Sequence, residues 1–168
     1  MGLYDTVHVS EDAASALGLT CSQCGKVPSC DESWQTKSLD AAMIDYVLRH
    51  DEGKVIRLFQ MDVPQGRKYW RPWTAEEIAE SNPEAQKGGR FTLWPKREGE
   101  GTYLPEAYLP ENRRQRFMGE LPHQWVEIYC SCSCGEFVEG WIKFCDGVAV
   151  EARNKPPMPP SGPGLIEG

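Results

Sequence analysis

The chain has 168 residues, 40% hydrophobic and 26% charged, with a formal net charge of -7. That size fits one domain, or one domain with a large insertion, of globular composition. The acidic balance withholds the long-range attraction to phosphate that general nucleic-acid and anionic-membrane binders use, and no apolar run approaches the ~20 residues of a membrane helix.

The N-terminal residues lack a basic region followed by an apolar core, so no secretory signal is expected and a reducing cytoplasm is the expected compartment. Met1-Gly2-Leu3-Tyr4-Asp5-Thr6 meets the loose myristoylation pattern. Nothing nearby supplies the second signal that stable anchoring needs, so no membrane partner is expected.

Tyr4 to Val9 alternates and predicts a short strand. Ser10 is placed to cap a brief helix from Glu11 to Leu17, with acidic residues in its first turn and Gly18 past its end. The knuckle Cys21-Ser22-Gln23-Cys24-Gly25 follows, then a loop, then a strand from Trp34 to Lys37. Leu39 to Met43 reads as a short helical turn. Ile44 to Phe59 then reads as a hairpin, with His50-Asp51-Glu52-Gly53-Lys54 as its turn.

Residues 61–124 differ in character, holding Trp70, Trp73 and Trp94 among many Pro, Gly and charged residues. Thr74-Ala75-Glu76-Glu77 is a capping box and predicts a short helix from Ala75 to Ser81. The rest of this stretch reads as a loop-rich insertion. Trp125 to Cys132 predicts a strand. Phe137 to Phe144 and Val148 to Ala152 predict a hairpin around Cys145-Asp146-Gly147, since Asp-Gly is a strong two-residue turn signal. From Asn154 onward the chain is rich in Pro and Gly and reads as an extended tail.

Seven cysteines are many for a reducing compartment, and there they read first as metal ligands. A structural zinc ion takes four ligands in a tetrahedron, and thiolates suit it. Cys21-x-x-Cys24-Gly25 supplies two from one tight turn. The second half, Cys130-Ser131-Cys132-Ser133-Cys134-Gly135, is irregular. The expected pair there is Cys132 and Cys134, with Cys130 as the substitute for Cys132. Cys30, Cys145 and His123 are outside candidates. Four thiolates also suit iron, and Cys21-x-x-Cys24 alone admits a redox reading, though no βαβ context supports it. The two Cys-Gly turns, each followed by a Trp and a Gly hairpin, suggest two similar halves facing each other across one metal.

The Cys-x-x-Cys-Gly knuckle with a second Cys-Gly turn resembles zinc-ribbon and rubredoxin-like proteins. The opening Met1-Gly2-Leu3-Tyr4-Asp5-Thr6-Val7, with Cys21 to Gly25 and Trp34-Gln35-Thr36-Lys37, also resembles small proteins encoded by bacteriophages and some bacteria. The resemblance covers about the first 60 residues and extends to residues 125–152 through the second knuckle. It implies a phage context and no defined activity.

His8, His50 and His123 sit in no nucleophile motif, and Asp5 with Asp12 and Asp40 with Asp45 read as solvated acidic pairs. Trp70, Trp73 and Trp94 lie among Arg67, Lys68, Arg71, Arg90, Lys96 and Arg97. Such a set packs onto a core, anchors a protein interface, or stacks bases.

The expected architecture is therefore α+β and β-rich, with short antiparallel hairpins around a zinc knuckle. Residues 1–60 and 125–153 form one domain, 61–124 the insertion and 154–168 the tail. The expected cofactor is Zn, held by Cys21, Cys24, Cys132 and Cys134. The expected function is a non-enzymatic interaction module that binds a host or virion protein through Trp70, Arg71 and Trp73, in the host cytoplasm or in the particle. The alternatives are a nucleic-acid-binding zinc ribbon, which the acidic charge disfavours, and an enzyme with an open metal position completed by His123 or an acidic residue.

Overall fold

The computed structural model describes residues 3–28, 33–81 and 95–157. Ten strands and two α-helices occur among them: β1 (Asp5–Val9), α1 (Glu11–Ala16), β2 (Ser33–Thr36), β3 (Asp45–Asp51), β4 (Val55–Met61), β5 (Trp70–Pro72), α2 (Ala75–Glu80), β6 (Gly101–Tyr103), β7 (Gln115–Phe117), β8 (Gln124–Ser131), β9 (Phe137–Cys145) and β10 (Val148–Arg153). The chain divides into two compact units, Met1–Asp62 with Gln115–Gly168, and Val63–Arg114.

The first unit is a closed barrel. Its seven strands run in the order β10-β9-β8-β2-β1-β3-β4, and β4 returns to β10. Alternation along the strands explains the interior. Val126, Ile128 and Cys130 of β8, Ile142 and Phe144 of β9, Val7 and Val9 of β1, and Tyr46 and Leu48 of β3 all point into one buried cluster, as period-2 geometry requires. Trp34 of β2 fills the same interior at 1% exposure, and truncating so large a buried side chain typically costs about 3–5 kcal/mol. Val47, Phe59 and Met61 face the other way and form a second, smaller cluster.

Closure rests on non-local pairings. β1 runs parallel to β3 through Thr6↔Asp45 to Val9↔Leu48. The free edge of β4 is shared, with β10 at Arg57↔Val148 and β7 at Phe59↔Phe117. β10 carries a register shift between Ala149 and Glu151, and such a bulge adds the twist that a small barrel needs. The seam between β2 and β8 is short, at Gln35↔Tyr129. Side chains extend it. The Thr36 hydroxyl donates to the Glu127 carbonyl at 2.5 Å, and the Glu127 N–H donates to Ser38 Oγ at 3.1 Å.

The fold class expected from sequence is thus corrected. The chain is mostly β with a closed seven-strand barrel and two six-residue helices among the described residues, not an α+β set of hairpins around a knuckle. The hairpins β3–β4, β8–β9 and β9–β10 do form. They are staves of one barrel rather than two halves facing each other. The helical turn expected over Leu39 to Met43 is absent. Asp5, 0% exposed, accepts the backbone N–H groups of Ala41, Ala42 and Ile44 at 2.7–2.9 Å. Ala41 and Met43 adopt left-handed φ of 51° and 59°. A buried carboxylate with three charge-assisted N–H bonds outweighs the weak helical propensity of this stretch.

Helix α1 forms where the cap predicts it: Ser10 Oγ accepts from the Ala13 N–H at 3.2 Å, and Ala13 and Ala14 are buried. In the second unit the capping box of α2 is complete, with Thr74 and Glu77 bonding reciprocally at 2.9 and 3.1 Å. There β5 and β6 pair as a two-stranded antiparallel ribbon through Trp70↔Tyr103 and Pro72↔Gly101.

Candidate metal centre

Two turns present the cysteines. In the first, the Cys21 N–H donates to the Lys26 carbonyl and the Gly25 N–H returns to the Cys21 carbonyl, both at 2.8 Å. In the second, the Cys132 N–H donates to the Glu136 carbonyl at 2.8 Å and the Gly135 N–H to the Cys132 carbonyl at 2.9 Å. Gly25 and Gly135 have φ of 74° and 95°, a region open to glycine at no steric cost. The two turns are therefore the same device, one residue shorter in the second copy. That shortening makes Cys-x-Cys-Gly equivalent to Cys-x-x-Cys-Gly.

Both turns lie at one end of the β2–β8 seam. The first precedes β2 and the second follows β8, and these strands are antiparallel. The ligand atoms of Cys21, Cys24, Cys132 and Cys134 all lie within 4.8 Å of one another. Cys21 and Cys134 sulfurs are 3.5 Å apart, and Cys24 and Cys132 sulfurs 3.8 Å. Four sulfurs around a tetrahedral ion at about 2.3 Å sit about 3.8 Å from one another, whereas a disulfide needs about 2.05 Å. All four are free thiols. The cluster can hold a metal ion.

One cysteine of each turn is buried, Cys21 at 1% and Cys132 at 5% exposure, and Cys24 and Cys134 are exposed. The Glu136 backbone N–H favours the Cys134 thiolate, but the Cys21 sulfur, desolvation and the Cys132 and Cys24 sulfurs together push that thiol up to about 12. A divalent ion bound there would reverse this balance, because it would share the charge of the thiolates and release their protons.

The four cysteines expected as ligands are the four brought together. Cys130 is not among them: it lies on the inward face of β8 beside Ile128 and packs in the barrel core. Cys132 is buried in the same cluster but lies past the end of β8 at Ser131, in the turn, where its sulfur reaches that of Cys24. Cys30 lies outside the described residues, as do Trp94 and Arg90. His123 and Cys145 belong to a different place, where Cys145 Sγ and His123 Nε2 are 2.9 Å apart.

Of the residues expected to meet a partner, Trp70 and Arg71 are on β5 and Trp73 directly follows it. Trp70 is 37% exposed, and its indole lies against Gly101, where any side chain would collide with the ring. Arg71 donates two hydrogen bonds to the Glu77 carboxylate, at 2.7 and 3.1 Å. Arg71 and then the Thr74 backbone N–H hold the Glu77 carboxyl down to about 2. Lys96 lies 5.7 Å above the Trp73 ring. The Arg71 charge is therefore already answered within its own unit.

No family model, curated protein or solved structure matches the chain. The site is thus read from its own chemistry. A cleft of about 190 Å³ lined by Asp40, Tyr46, Met118 and Leu121 is below the range of ordinary small-molecule pockets, about 300–1,000 Å³. Within it the Tyr46 hydroxyl donates to Asp40, and burial, followed by that bond, raises the phenol above its usual range. A groove lined by Leu17, Gly18 and residues 152–156 holds no thiol, imidazole or carboxylate. Among the described residues no helix is long and apolar enough to cross a membrane.

Proposed function

We propose that Cys21, Cys24, Cys132 and Cys134 hold zinc in a closed structural site, and that the chain is a non-enzymatic protein-interaction module of phage origin. It acts on a host protein in the cytoplasm or as a minor part of the particle. The observation that carries the zinc reading is the convergence of four sulfurs within 4.8 Å. Zinc is favoured over iron because thiolate sites follow the Irving–Williams order, in which zinc binds more tightly than ferrous ion. Four protein ligands leave no open position for substrate or activated water, which supports a structural role.

The interaction reading draws on Trp70 and Trp73, the residue type most enriched at binding hot spots. The nucleic-acid alternative is weakened by the net charge of -7 and by the neutralisation of Arg71 by Glu77.

Elemental mass spectrometry of protein purified without chelator tests the site. One tightly held zinc per chain, lost in Cys24→Ser and in Cys132→Ser but kept in Cys130→Ala, is the expected result. Zinc retained in Cys24→Ser and Cys132→Ser overturns it. For the partner, co-purification of one defined protein, abolished in Trp70→Ala at unchanged zinc content, is expected. Salt-sensitive binding to single-stranded DNA or RNA would favour the alternative instead.

A further inference from the structure

At the other end of β8 lies a second convergence of donors. Cys145 closes β9, Asp146 follows in the β9–β10 turn, and His123 enters β8. Their ligand atoms all lie within 4.8 Å of one another; Cys145 Sγ and His123 Nε2 are hydrogen-bonded at 2.9 Å, a contact that a bound ion would replace by opening it to about 3.5 Å. We infer that His123, Cys145 and Asp146 form a second metal site, with three protein ligands and one open position, for a thiophilic divalent cation of the zinc or cobalt class.

The placement follows from the ladder. β8 and β9 are antiparallel with Gln124 opposite Phe144, so the next step of the register sets His123 across from Cys145. Asp146 and Gly147 occupy the two turn positions with φ of 52° and 81°, the conformation of a tight two-residue hairpin. That turn is held from outside the hairpin. The Leu58 N–H donates to the Gly147 carbonyl at 2.9 Å. A Cβ at Gly147 would lie 2.4 Å from the Met118 carbonyl oxygen, so only glycine fits. The donors thus sit on backbone fixed by β4 and by the segment after β7, as a preorganised site requires.

The donor set selects the ion. A thiolate with an imidazole favours zinc-like ions over calcium or magnesium, which take all-oxygen shells. Three protein ligands plus one open position is the arrangement of exchangeable zinc sites. His123 and Asp146 are exposed and Cys145 half-buried, so water reaches the fourth position. Binding forms metal–sulfur, metal–nitrogen and metal–oxygen bonds and releases the Cys145 thiol proton to solvent. The site shares no residue with the four-cysteine cluster. β8 alone separates them by about 26 Å, at ~3.3 Å per residue, so each is tested without the other.

Cobalt(II) titration of protein that carries only the one tightly held zinc, with weakly bound zinc removed beforehand, tests the inference when read by the thiolate-to-cobalt charge-transfer band. Wild type is expected to take one added cobalt with that band. Cys145→Ser is expected to lose the band, and His123→Ala to weaken binding at least about tenfold, the lower bound for removing even a residue that only supports a ligand. Both variants should keep the tightly held zinc. Zinc should also slow alkylation of Cys145 by iodoacetamide. No band in the wild type, a band undiminished in Cys145→Ser, or alkylation indifferent to zinc overturns the site. Failure of the four-cysteine reading would appear instead as zinc retained in Cys24→Ser, and would leave the Cys145-dependent band as the deciding signal here.

Discussion

The two ends of β8 carry donor clusters of opposite topology. At one end, Cys132 and Cys134 meet Cys21 and Cys24 across 108 and 113 residues of chain. At the other, His123, Cys145 and Asp146 belong to one hairpin and its entry, already registered by the β8–β9 ladder. An ion at the first place joins segments that the chain leaves far apart, next to the short β2–β8 seam. An ion at the second meets ligands that the backbone has already assembled. A ligand set that gathers distant chain contributes more to folding than one whose ligands the backbone has already assembled, although the gain grows only with the logarithm of the chain gathered.

The largest expected effect tests the first half of that comparison. Cys24→Ser should release the tight zinc and lower stability by about 4 kcal/mol or more, the scale reserved for loss of a metal or a buried network. Chemical denaturation measured beside metal content checks it. An unchanged midpoint would mean that the barrel closes without the ion. Next in size is Cys130→Ala, which removes one buried sulfur from the core and should cost about 1 kcal/mol with full zinc content. Zinc loss in that variant would return Cys130 to the ligand set.

Smaller still, Cys145→Ser and His123→Ala should each move stability by no more than about 0.5 kcal/mol, since both sit at the surface of a turn held by Gly147. A drop comparable to that of Cys24→Ser would erase the distinction between the two ends. The smallest effect lies in the Val63–Arg114 unit. Arg71 and the Thr74 N–H depress Glu77 to about 2 from its usual 4.5. A depressed carboxyl contributes stability that is full above about pH 4.5 and is lost as pH falls through about 2. The pair lies at the surface and is only half-buried, so solvent screens it and its contribution is correspondingly weak. An NMR titration of the Glu77 carboxyl should show the low midpoint in wild type and its return toward 4.5 in Arg71→Ala.

Much of this was legible in local residues. Ser10 and Thr74 mark their helices because a cap needs only the next three residues. Asp146-Gly147 marks its hairpin because a two-residue turn needs two positive φ angles in succession. Cys21-x-x-Cys24-Gly25 marks a knuckle for a similar reason. These signals span a handful of residues, and their physics is complete within that span.

What stayed hidden was everything decided by partners distant in the chain. Nothing near Leu39 to Met43 announces that the Asp5 carboxylate will collect their amides and hold Ala41 and Met43 left-handed. Nothing near Val148 says that it will meet Arg57 and close seven strands into a barrel. The sequence favoured Cys132 over Cys130, but the reason, that β8 stops at Ser131 and the turn to the Glu136 carbonyl begins at Cys132, appeared only in the fold. His123 and Cys145, 22 residues apart, became neighbours only through the β8–β9 register. The sequence by itself determined the caps, the turns and the knuckle spacing, because each is a local hydrogen-bonding problem. Only the tertiary structure decided the barrel, the proximity of the four expected cysteines and the second cluster, because each depends on burying apolar faces and pairing strand edges across the whole chain.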